Sequence, residues 1–141
     1  MSDGDVEQLR SIPLFAEVDA THLERISKMA TPFEVPAGHV LAERGQPGSG
    51  MFVILDGAVE VDVPNASPVR LGPGEFFGEL SLLADTDRLA RVRATTPVRG
   101  IAIDRMAFLE LLHDEPRIAL AMLPVLAGRL ASLESGGAPP A

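Results

Sequence analysis

Apolar positions change their spacing twice along the chain, and the two changes divide it into three blocks. In the first block the polar start, Met1–Asp5, is expected to be frayed. Val6, Leu9 and Ile12 then recur at helical spacing, and Pro13 is expected to end that helix. Leu23, Ile26 and Met29 repeat the spacing in a second helix, with Asp19 or Thr21 as its N-cap and Pro32 as its stop. From Phe33 the spacing shortens to that of strands. Phe33 and Val35 precede a turn at Pro36-Ala37-Gly38, Val40 and Leu41 follow it, and the loop Glu43 to Gly50 is broken by Pro47 and by glycines. The run MFVILDGAVEVDV then reads as two strands about a turn at Asp56-Gly57, with Val59, Val61 and Val63 on one face and Glu60 and Asp62 on the other. Short strands follow at Val69–Leu71, Leu89–Ala94 and Val98–Ile103. Helical spacing returns at Met106, where Phe108, Leu109, Leu111 and Leu112 form a broad apolar face. Pro116 suits the first turn of a last helix carrying Ile118, Leu120, Met122, Leu126 and Leu130, positions read as mostly core. Pro124 inside it is expected to kink it.

Several short strands separated by glycine and proline predict a barrel or sandwich, with helices at both ends. The stretch that departs from simple alternation is GPGEFFGELSLLADTDRLARVRA, residues 72–94. Here a tight turn and Phe76-Phe77 lead to Gly78 and Glu79 at the head of a one-turn apolar run, Leu80–Leu83, and a polar loop from Ala84 to Asp87 brings in Arg88. A helix start with free backbone N–H groups, faced by an arginine across a loop, makes a cradle of phosphate size. Gly78 lets the backbone approach a ligand that a β-carbon would obstruct. Taken singly, Glu79 would complement a helix dipole and Arg88 would be a solvated charge. Their spacing favours a joint role.

FFGELSLL followed nine residues after Glu79 by Arg88 resembles the phosphate-binding cassette of cyclic nucleotide-binding domains, such as those of catabolite activator proteins and protein kinase A regulatory subunits. The resemblance runs from IPLF near the start to the helical end. It implies an antiparallel β-roll, jelly-roll-like, flanked by N- and C-terminal helices, an α+β fold that is mainly β. It also implies a ligand site at Gly78, Glu79, Leu80, Ser81, Arg88, Leu89 and Ala90, in which Glu79 bonds a ribose 2′-hydroxyl and Arg88 pairs with a cyclic phosphate. The family usually has a small residue after the arginine; Leu89 is larger and either leans away or crowds the ligand. Its lack of a hydroxyl removes a feature associated with cyclic GMP, so cyclic AMP is the expected ligand, with cyclic GMP second. The resemblance further implies a sensor, not an enzyme, whose C-terminal helices move with the ligand and act on a protein effector that the sequence does not name. The last helix is expected to join a homodimer through Leu120 to Leu130. The competing reading is a degenerate domain of this fold that binds no nucleotide and serves protein interaction.

Composition adds exclusions. With 141 residues and 46% hydrophobic content the chain is expected to form one domain, residues 1–134, with SGGAPPA at 135–141 as a disordered tail. It lacks an apolar run of membrane-spanning length and a signal-peptide pattern, so a cytoplasmic protein is expected. The net charge of −8 argues against non-specific nucleic-acid binding, and the chain ends where catabolite activators continue into a helix-turn-helix, so no nucleic-acid contact is expected. There is no cysteine, and His22, His39 and His113 have no second histidine at metal-ligand spacing, so neither metal nor cofactor is expected. Ser49, in Gly48-Ser49-Gly50, reads as a turn residue. Arg91 and Arg93 share a strand face with Leu89 and read as solvated charges near the pocket mouth. Tyr and Trp are absent, so any lid over a base would be aliphatic or phenylalanine.

Overall fold

The structure, a computed structural model, describes residues 3–48, 50–62, 66–84 and 86–134. Ser49, Val63 and the tail expected at 135–141 lie outside the described residues. Helix α1 spans Asp3–Arg10, so helical structure begins within the stretch expected to be frayed. Pro13 opens a 3-10 turn, Pro13–Phe15, that buries Leu14 and Phe15. Helix α2, Ala20–Met29, is N-capped by Asp19, whose carboxylate accepts from the His22 amide at 2.9 Å, and it buries Leu23 and Ile26.

The helix ends at Met29, and Pro32 lies in strand β1, Thr31–Val35. That strand is at the edge of its sheet, where a residue without an N–H is tolerated. The further strands are β2 Val40–Ala42, β3 Gly50–Asp56, β4 Val59–Asp62, β5 Val69–Leu71, β6 Phe76–Phe77, β7 Arg91–Ala94 and β8 Val98–Asp104. They form two four-stranded sheets, β1-β8-β3-β6 and β2-β7-β4-β5, with every pairing antiparallel. This is the expected β-roll. The turn at Asp56-Gly57 does not close a paired hairpin: β3 and β4 belong to opposite sheets, and β4 instead pairs with β5, Val59 opposite Leu71.

The continuous apolar run of β3 has a physical cause in this arrangement. Met51, Val53 and Leu55 face one core, built with Leu9, Phe15, Leu23 and Ile26 from the N-terminal helices and with Phe108, Leu111, Ile118 and Met122 from the C-terminal ones. Ile54, with Phe52 at its edge, faces a second core between the sheets, made with Val59, Val61, Leu71, Phe77, Val92 and Val98. A strand buried on both faces loses its polar alternation.

Helix α3 spans Glu79–Ala84, α4 Arg105–Asp114 and α5 Pro116–Glu134. Asp104 caps α4, accepting from the Ala107 amide at 2.9 Å. The C-terminal apolar faces are narrower than expected. In α4, Phe108 and Leu111 are buried but Leu109 lies at the surface. In α5, Ile118 and Met122 are buried, whereas Leu120 and Leu130 are exposed and Leu126 is half-buried. The helix continues through Pro124. Among the described residues no helix is long and apolar enough to cross a membrane.

Candidate functional site: the Gly78–Arg88 cradle

Phe76 and Phe77 pair with Val53 and Phe52 of β3, which brings the chain to the sheet edge before it turns. Gly78 makes that turn at φ +88°, where L side chains are strained. A β-carbon there would also stand 2.6 Å from Arg88 Nη1 and 3.0 Å from the Gly50 carbonyl. Helix α3 then begins at Glu79, so the Glu79, Leu80 and Ser81 amides fall in a first turn without intrahelical acceptors.

The structure brings Arg88 to this turn, as the sequence led one to expect, and adds the means. The Arg88 backbone is clamped by the loop after β2: its amide donates to the Gln46 carbonyl at 2.9 Å and its carbonyl accepts from the Gly45 amide at 2.8 Å. Its side chain lies so flat over Gly48 that a β-carbon there would come within 1.9 Å of Nε. Nη1 donates to the Ser81 hydroxyl at 2.9 Å and to the Gly78 carbonyl at 3.3 Å, and the guanidinium carbon sits 5.6 Å from the centre of the Phe52 ring. Burial lowers the guanidinium pKa, with the Glu79 charge opposing. A half-buried cation held by neutral groups retains a capacity for an anion.

Glu79 is fully buried. Its Oε1 accepts from Arg129 Nη1 of α5, a residue that sequence reasoning missed. Arg129 Nη2 also donates to the Phe76 carbonyl at 2.6 Å, and its guanidinium stacks 4.9 Å above the Phe76 ring. Fifty residues separate the two partners, and no local spacing rule reaches that far. Among the described residues Glu79 Oε2 has no hydrogen-bond partner. Burial pushes the Glu79 pKa up, with Arg129 the main opposing influence.

The remaining site residues divide. Ser81 and Ala90 are buried and Leu80 is half-buried, whereas Leu89 is 46% exposed and so leans outward. Arg91 and Arg93 pair with Glu43 at 3.5 Å and Glu60 at 4.0 Å on the outer sheet face. They are surface ion pairs.

Comparison with known proteins identifies the family. Residues 32–115 match the model of the cyclic nucleotide-binding domain, which takes in the cradle whole, and the chain belongs to that family. Among relatives, the chain is 38% identical over 109 residues to the cyclic nucleotide-gated potassium channel mll3241 of Mesorhizobium japonicum, covering 77% of this chain and 30% of the channel. It is 31% identical over 129 residues to a CRP-like cAMP-activated global transcriptional regulator of Mycobacterium tuberculosis, covering 88% of this chain and 58% of the regulator. The crystal structure of the Thermus thermophilus catabolite activator protein matches with a TM-score of 0.75 at 26% identity, over 86% of this chain and 60% of that one. The chain thus spans less than two thirds of each of these relatives.

Proposed function

We propose that the domain is a cyclic nucleotide sensor that favours cyclic AMP over cyclic GMP and passes ligand occupancy to α5. The observation that carries this reading is the Glu79 carboxylate, fully buried yet with Oε2 unpartnered beside Gly78 and Arg88. A buried acceptor without a donor is costly, and a ribose 2′-hydroxyl donating to Oε2 would satisfy it. The cyclic phosphate would be held by Arg88 and the first-turn amides of α3. The preference for cyclic AMP rests on Leu89, which offers no hydroxyl. Coupling runs through Arg129: a ligand that shares Glu79 with it has a different affinity for each placement of α5, which is the condition for a population shift. The exposed positions Leu120, Leu123, Ala127 and Leu130 recur at spacings of three, four and three, a coiled-coil seam suited to a second copy of α5. The outward lean of Leu89 favours this reading over the degenerate one, which Leu89 and the kinking Pro124 support at the level of sequence.

Calorimetric titration with cyclic AMP, cyclic GMP and 2′-deoxy cyclic AMP tests this. Cyclic AMP is expected to bind most tightly and the deoxy ligand more weakly. Arg88→Leu is expected to cost about 2 to 5 kcal/mol, a loss of about thirtyfold to several thousandfold. Absence of binding by every cyclic nucleotide would return the domain to the degenerate reading, and normal binding by Arg88→Leu would move the phosphate elsewhere.

A further inference from the structure

Outside the cradle residues, Asp19, His22 and Glu115 place three donor atoms within 4.8 Å of one another. Asp19 caps α2 and His22 lies in its first turn, and Glu115 is the residue between α4 and α5, distant in sequence. His22 Nδ1 lies 2.8 Å from Asp19 Oδ1 and 3.5 Å from Glu115 Oε2. Two carboxylate oxygens therefore converge on one ring nitrogen, which carries at most one proton and can satisfy only one of them well. A cation among the three atoms satisfies both. For ligand bonds near 2.0–2.2 Å, neighbouring donors stand about 3.4 Å apart in tetrahedral coordination, which the 3.5 Å pair already matches and the 2.8 Å pair reaches by opening about 0.6 Å.

Burial points the same way. Glu115 is only 7% exposed, and among the described residues the hydrogen bond its carboxylate accepts is a long one, 3.4 Å, from the Arg117 amide to Oε1. A buried carboxylate calls for a counter-charge. The cations nearby are otherwise engaged: Arg25 pairs with Asp114 and, at 3.2 Å, with Glu110, while Arg117 donates to the Glu17 carbonyl at 3.3 Å. His22 is partly exposed, which leaves a path of entry.

We propose that Asp19, His22 and Glu115 form a binding site for a divalent transition metal of zinc type, with water completing the coordination. One imidazole and two carboxylates neutralise the ion's charge and match its ligand preference. The ion ties the start of α2 to the joint between α4 and α5, so occupancy stiffens the base of the helix that carries Arg129.

The test is a zinc titration of the chelator-treated full chain without nucleotide, so its outcome is independent of the cyclic nucleotide reading. One zinc per chain is expected at micromolar concentration, with a rise in melting temperature. Loss of groups that merely orient metal ligands already weakens binding about 10–100-fold, so His22→Gln and Glu115→Gln, which remove ligands, are expected to lose at least that. His39→Gln and His113→Gln are expected to bind as wild type. Melting curves of the metal-free variants establish that each is folded, and His22→Gln, at a partly exposed position, serves if Glu115→Gln is not. No saturable binding at micromolar zinc, or unchanged binding by His22→Gln, overturns the proposal.

Discussion

At the Glu79–Arg129 pair a buried carboxylate is opposed chiefly by the Arg129 guanidinium, with Arg88 a lesser influence, and this couples the pair to pH. Burial raises the Glu79 pKa, so the folded chain keeps this proton to higher pH than the unfolded chain does. The contribution of Glu79 to stability is therefore complete at low pH and is lost as pH rises through its folded-state value. Removing Arg129 raises that value further. Arg129→Leu is thus expected to destabilise by up to about 3 kcal/mol, since breaking a buried pair strands one charge. Urea denaturation should show a larger loss at about pH 8 than at about pH 5, because protonation relieves the stranded carboxylate. Adding Glu79→Gln should remove most of that difference. A loss equal at both pH values would mean that α5 swings away and lets water reach Glu79.

Among the elements, α3 and α5 make opposite uses of glycine. Gly78, at φ +88° and with Arg88 Nη1 and the Gly50 carbonyl in the space of a β-carbon, sets the entry to α3. Gly78→Ala is expected to cost about 1–3 kcal/mol from backbone strain and to displace Arg88. Gly128 lies within α5 with no atom within 4 Å of a would-be β-carbon. Gly128→Ala is expected to add about 0.5–1 kcal/mol through helix propensity. Thermal melting of the two variants checks both signs; a stabilising Gly78→Ala would mean that the turn before α3 relaxes to a different path.

For the molecule as a whole, two cores share strands β3 and β8, and α5 is docked on the helical core along one side, through Ile118 and Met122 with Ala121 and Leu126 packed against them. Its other side presents Leu120, Leu123 and Leu130, between 57% and 64% exposed. If that seam joins two copies, sedimentation at tens of micromolar shows a dimer, and Leu123→Glu converts it to a monomer with little change in melting temperature at high dilution. A monomeric wild type, with and without cyclic AMP, removes the dimer from the mechanism.

The sequence by itself determined what is local. Alternation and helical spacing marked the helices and strands within a few residues, and the short interval from Glu79 to Arg88 marked the cradle, because a turn, a helix start and a loop lie within one continuous stretch. Only the tertiary structure decided how distant stretches meet. It placed Pro32 on an edge strand, sent β3 and β4 to opposite sheets across Gly57, and turned Leu120 and Leu130 outward. It also brought Arg129 to Glu79, Gly48 under Arg88, and Glu115 to His22. Each of these contacts joins residues far apart in the chain, and periodicity, which reports only the face a residue shares with its near neighbours, carries no information about which face another element will cover.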